Sequence, residues 1–221
     1  MDKKVTLYIV RHGETEFNTQ IRVQGWCDSP LTEGGREIAA RLGKGIKDIE
    51  FACAWSSGLG RAKDTTGIIL ENAGKNIPHY IDENLKEWGL GSLEGQIISK
   101  GPWIGSEEKA LRDGYENKLD IIELSGLYEN MDKAEGIEPW DIFIERLGGS
   151  LRDICDKAEN GESNILVVSH GMAILGMIYA LTKDRYVPQF ILNASVTLIE
   201  YSDGIFAIKK VNDISYIEQN N

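Results

Sequence analysis

The sequence predicts an α/β fold, a three-layer sandwich with a mostly parallel central sheet and a helical cap insertion. Two observations carry this. Strand-like apolar runs at 4–10, 51–57 and 164–169 alternate with stretches at helical spacing, the order that crossover connections and parallel strands require. Near the end, "ASVTLIEYSDGIFAIKKV" reads as a hairpin turning at Asp203-Gly204 and adds an antiparallel end.

Each element has a local reason. In "PLTEGGREIAARLGKGI", Thr32 is a candidate N-cap, Glu33 lies in the first turn, and Ile38, Ala39 and Leu42 share one face. "GRAKDTTGIILENAG" reads as a second helix closed by Gly74, and a short strand follows around 77–81. Helix resumes over about 138–159. "NILVVS" is a buried strand that leads into the glycine-led apolar helix "GMAILGMIYALT". Residues 96–135 mix charges, glycines and weak helical periodicity, and read as an inserted cap. The simplest partition is one domain, 1–221, carrying that insertion.

Bulk properties narrow the function. The chain has 221 residues, 42% of them hydrophobic, and a formal net charge of −11. That charge argues against nucleic-acid or acidic-membrane surfaces, so any bound anion needs a local concentration of cations. Cys27, Cys53 and Cys155 are an odd set without metal-ligand spacing, which points to free thiols in a reducing, cytoplasmic setting. Neither a membrane span nor a signal peptide is expected, and no metal or cofactor is implied.

The chemistry sits at strand ends, where ligand crevices of such folds lie. The first strand ends at Arg11-His12-Gly13, the second delivers Arg61, and a later one ends at Ser169-His170-Gly171. Alone, a histidine after a strand reads as structural, and an arginine in a first helical turn as solvated. Together they describe an anion site. Arginine forks match phosphate oxygens, and a neutral imidazole can attack phosphorus. The helix starting at Gly171 would add amide donors to the same anion, and Gly13 would let the chain turn tightly beside it. His79, next to a proline, reads as structural, and Glu14 and Glu16 read as loop or solvent-facing.

These segments resemble the signature of the histidine phosphatase superfamily, the clan of cofactor-dependent phosphoglycerate mutases and fructose-2,6-bisphosphatases. The likeness runs through "RHGETEFN…RVQGWCDSPLTEGG", "SSGLGRAKDTT", "LKEWGLGSLEG", "GIEPWDIFIER" and "VVSHGMAI", in order from residue 5 to about 178. It implies that His12 is the phosphorylated nucleophile and that Arg11, Arg61 and His170 hold the phosphoryl oxygens. It further implies that Asn18, Gln24 and Gly25 contact the bound group, and that Glu87 protonates the leaving oxygen and then activates water. The enzyme implied is a phosphomonoesterase of histidine acid phosphatase type, acting on small phosphorylated metabolites without a metal.

Departures from the mutase pattern favour the phosphatase branch. The insertion has scattered Lys100, Lys109, Arg112 and Lys118 but no adjacent arginine pair. Leu90, Gln24 and Met172 stand where mutases have tyrosine, threonine and asparagine. Mutase activity and a non-catalytic phospho-ligand module are the alternatives. The insertion is expected to roof the pocket, with Trp88, Leu90, Trp103, Leu111, Tyr115 and Tyr128 making it partly apolar, and sugar or glycolytic phosphates are the expected substrates.

Overall fold

The computed structural model describes residues 3–97, 120–129, 135–159, 161–185 and 190–218. Its centre is a six-stranded sheet in the order β3-β2-β4-β1-β5-β6. The strands are β1 (Lys4–Arg11), β2 (Cys53–Ser56), β3 (His79–Ile81), β4 (Glu162–Ser169), β5 (Val196–Ser202) and β6 (Ile205–Asp213). β1, β2, β3 and β4 pair in parallel, while β5 runs antiparallel to both β1 and β6. The expected mixed sheet is therefore present, with its antiparallel end at the predicted hairpin. Asp203 and Gly204 have φ of 51° and 84°, the left-handed pair that a two-residue turn matching strand twist demands.

Helices cover both faces. α1 (Glu16–Thr19) is a single turn; α2 (Glu33–Gly45) and α3 (Gly60–Asn72) form one outer layer. α4 (Ile121–Glu129) precedes α5 (Trp140–Lys157) and α6 (Gly171–Thr182), which cover the opposite face, and α7 (Ser215–Glu218) closes the chain against α2. Alternation along β1 and β4 explains why both faces need cover. Val5, Leu7, Ile9, Ile165 and Val167 point toward α5 and α6, whereas Val10, Leu166 and Val168 point toward α2 and α3.

Local chemistry sets the helix ends. The Thr32 hydroxyl accepts from the Gly35 amide at 2.9 Å, the predicted N-cap. α5 begins only at Trp140, two residues later than expected, because Pro139 holds an extended ψ of 137°. β3 is shorter than expected and lies at the sheet edge. Lys100, Trp103, Lys109, Leu111, Arg112, Tyr115 and Lys118 of the expected cap lie outside the described residues, as does the Tyr128 side chain. Among the described residues, no helix is long and apolar enough to cross a membrane.

Candidate active site

Sheet register assembles the site. Arg11 lies opposite Ser169 across β1 and β4, and Ser56 lies opposite Val168 across β2 and β4. Three parallel strands thus end level, and the residues that follow them meet. The His12 and His170 ring centroids are 5.1 Å apart, a separation spanned by one tetrahedral anion.

His12 is held in one tautomer. Its Nδ1 lies 2.7 Å from the Gly13 carbonyl, which can only accept, so the proton resides on Nδ1 and Nε2 is left as the unprotonated, accepting nitrogen. The Arg61 Nε–H approaches that Nε2 at 3.2 Å. Burial holds the His12 pKa well below the ordinary imidazole value, and the charges of Arg61 and Arg11 push it the same way. His170 is shifted down by the same causes, led by burial. The Ser57 hydroxyl sits 2.7 Å from His170 Nε2. His170 Nδ1 is buried and has no partner among the described residues.

Arg61 is fixed on every side. It donates to the carbonyls of Gly25 and Cys27 at 2.7 and 2.8 Å and pairs with Asp28 at 3.0 Å. Gly25 matters by its lack of a side chain: a Cβ there would lie 2.4 Å from the Trp88 carbonyl oxygen. Gly13 has the same logic. Its φ is not positive; the expected tight turn is instead a close approach, since a Cβ would meet the Gly35 carbonyl oxygen at 2.5 Å. Arg11 donates to the Ile191 carbonyl and sits 5.8 Å from the Phe190 ring centre.

Glu87 is held by backbone amides. The amides of Met172 and Ala173, in the first turn of α6, donate to its carboxylate at 3.0 and 2.8 Å, and the Trp88 amide adds a third bond at 2.9 Å. Two of the first amides of α6 are thus committed to the glutamate. Burial raises the Glu87 pKa, while these amides and the two arginines oppose the shift. Burial thus favours the protonated carboxyl more than it would be favoured in a surface acid.

A family model described as the histidine phosphatase superfamily (branch 1) matches residues 7–214. The chain belongs to that superfamily. A phosphoglycerate mutase-like protein of Arabidopsis thaliana is 30% identical over 96% of this chain and 87% of its own. A broad-specificity phosphatase of Saccharomyces cerevisiae is 28% identical with the same coverage. The solved structure of a phosphoglycerate mutase from Bacillus anthracis superposes with a TM-score of 0.88 at 35% identity, covering 99% of this chain and 97% of that one. The phosphoglycerate mutase-like α/β architecture is thus shared.

In this superfamily member, the cavity at the strand ends has a volume of about 490 Å³. Arg11, His12, Asn18, Gln24, Glu87 and Gly171 line it, whereas Arg61, His170 and Gly25 lie outside its lining. Asn18 and Gln24 are tied to one residue, Thr15, whose amide donates to the Asn18 side-chain Oδ1 and whose hydroxyl donates to Gln24 Oε1. Glu14 also borders the cavity, with its carboxylate accepting from Thr32, while Glu16 is exposed. His79 bonds Ser56 at 2.9 Å, a structural contact. All three thiols are free, and burial pushes Cys27 up to about 11 and Cys155 up to about 12.

Sequence reasoning missed several members. Asn193 lines the cavity and donates to the His12 carbonyl at 2.9 Å. Arg22 also lines it, and Ser57 and Asp28 orient His170 and Arg61. Ser57 and Asp28 lie inside the quoted family blocks, so their position was available as a signal. Asn193 lies beyond them and carried none.

Proposed function

We propose that this chain is a phosphatase that hydrolyses small phosphomonoesters through a phosphohistidine at His12. The observation that carries the reading is the fixed tautomer: Nδ1 is committed to the Gly13 carbonyl, leaving the Nε2 lone pair beside the Arg61 guanidinium. In the first step Nε2 attacks phosphorus and the P–O ester bond breaks. The departing oxygen takes the Glu87 carboxyl proton. In the second, Glu87 removes a proton from water, the resulting hydroxide attacks phosphorus, and the P–N pair returns to Nε2.

Charge is stabilised by residues already in place. Arg11 and Arg61 offer guanidinium donors, and a Ser57 hydroxyl donating to Nε2 of His170 leaves the proton on Nδ1, a further donor. Asn18 and Gln24 add polar contacts at the cavity edge beside Gly171, while Gly25 lets the Trp88 carbonyl pack close behind it. Because these groups neutralise the phosphoryl charge, turnover is expected to survive EDTA. Free thiols and the acidic surface support a cytoplasmic location.

The rest of the cavity speaks to substrate class. Ile21, Val23, Leu90, Met172, Leu175 and Phe190 form an apolar wall, which suits leaving groups with hydrocarbon surface better than sugar hydroxyls. This moves the reading away from the sugar or glycolytic phosphates expected from sequence. Phosphoglycerate mutase activity is the second reading, favoured by the name of the Bacillus anthracis relative. Assaying p-nitrophenyl phosphate, a phosphate-ester panel and 2-/3-phosphoglycerate interconversion separates them. The phosphatase reading expects phosphate release that His12→Ala abolishes. Interconversion with little release would establish a mutase, and no wild-type turnover a binding module.

A further inference from the structure

The block "GIEPWDIFIER" marks the family but contributes no residue to the cavity lining. Its two charged ends, Glu138 and Arg146, form a nearly buried fork-to-fork ion pair, Nε to Oε1 at 2.6 Å and a terminal nitrogen to Oε2 at 2.8 Å. Arg146 uses its remaining donors on three carbonyls, those of Asn84 at 2.7 Å and of Lys86 and Glu87 at 2.8 Å each. All five guanidinium N–H groups are thereby occupied. Every carbonyl they reach belongs to the segment that carries Glu87.

Glu138 grips the other side of the same residue. Its carboxylate accepts from the Gly89 amide at 3.2 Å, its amide donates to the Gly89 carbonyl at 2.8 Å, and its carbonyl accepts from the Trp88 indole at 2.7 Å. The Glu87 carbonyl receives a second donor, the Trp26 indole, at 2.9 Å. An ion pair kept this dry contributes little net stability compared with apolar packing. Its donors instead fix one short stretch of backbone from both sides of one glutamate.

Resting on the reading of Glu87 as proton donor, we propose that Arg146 and Glu138 are positioning residues that aim the Glu87 carboxyl at the leaving oxygen. Lysine cannot replace Arg146 in this role, because a point charge cannot span a carboxylate and three carbonyls.

The test exploits leaving-group chemistry. A p-nitrophenolate departs without a proton, whereas an alkoxide needs one, so a misplaced acid harms only the second ester. kcat/KM covers phosphoenzyme formation alone and excludes the later hydrolysis. For Arg146→Lys, which keeps the buried charge, kcat/KM on 2-phenylethyl phosphate should fall about 100-fold while that on p-nitrophenyl phosphate changes less than about threefold. The double variant Arg146→Met/Glu138→Gln, which removes both charges, should show the same split. Glu87→Gln is the reference: if it lowers both esters equally, the acid assignment itself fails. If Glu87→Gln shows the split but both Arg146 variants lower the two esters equally, or neither, the positioning role is overturned.

Discussion

At the scale of single residues, the site depends on which nitrogen holds a proton. His12 must be neutral to attack, and burial together with two guanidinium groups holds its pKa well below 6.5. The sign follows directly: kcat/KM should stay level as pH falls to 6.5 and decline only below that, where His12 begins to protonate. A limb centred at 6.5, measured on p-nitrophenyl phosphate, would show an ordinary exposed imidazole instead. Ser57 gives a second check. Ser57→Ala removes the group that orients His170 at 2.7 Å and should lower kcat/KM about tenfold or more with little change in melting temperature. The histidines and arginines were legible because residue type and strand-end position coincide. Glu87 was not legible from its own properties. One acid among 35 acidic side chains carries no local mark, and its burial and amide partners exist only after α6 packs beside it.

Elements show the same division between local and distant causes. The Thr32 cap and the Asp203-Gly204 turn were readable because each is decided within a few residues of chain. The contact between Gly13 and Gly35 was not, since nothing near either glycine announces the other. Substitutions separate the two kinds of glycine. Gly204 has φ +84 and no neighbour within 4 Å of a built Cβ, so Gly204→Ala should cost about 1 kcal/mol in urea unfolding and leave kcat unchanged. Gly35→Ala would place a Cβ 2.1 Å from the Glu14 carbonyl oxygen. The start of α2 must then move away from the loop after His12, costing about 1–3 kcal/mol and lowering kcat/KM as well. Equal effects of the two substitutions on activity would refute this difference. The helix amides teach a related lesson: a helix N-terminus attracts an anion, but whether that anion is ligand or protein is a tertiary fact.

For the whole molecule, a protein with net charge −11 still brings arginines together at one end of the sheet. Arg11 and Arg61 converge there because parallel strands that end level bring distant segments together. That convergence followed from alternating strands and helices. The apolar wall of the cavity did not, because Ile21, Leu175 and Phe190 come from a loop, a helix and a segment near β5 whose proximity no spacing reveals. Burying an aryl or alkyl group against it is worth about 25 cal/mol per Å². Esters with such groups should exceed glycerol phosphate in kcat/KM by about tenfold or more. Equal or better turnover of the polar ester would contradict the assigned substrate class.

Everything in the mechanism passes through a phosphorus–nitrogen bond at one ring. The most direct measurement is rapid quenching of the protein with a ³²P-labelled phosphomonoester, followed by acid and base treatment of the trapped chain. The expected result is label that acid removes and base preserves, carried on the peptide containing His12 and missing from His12→Ala. Turnover without such label, or label retained by His12→Ala, would contradict nucleophilic catalysis by His12.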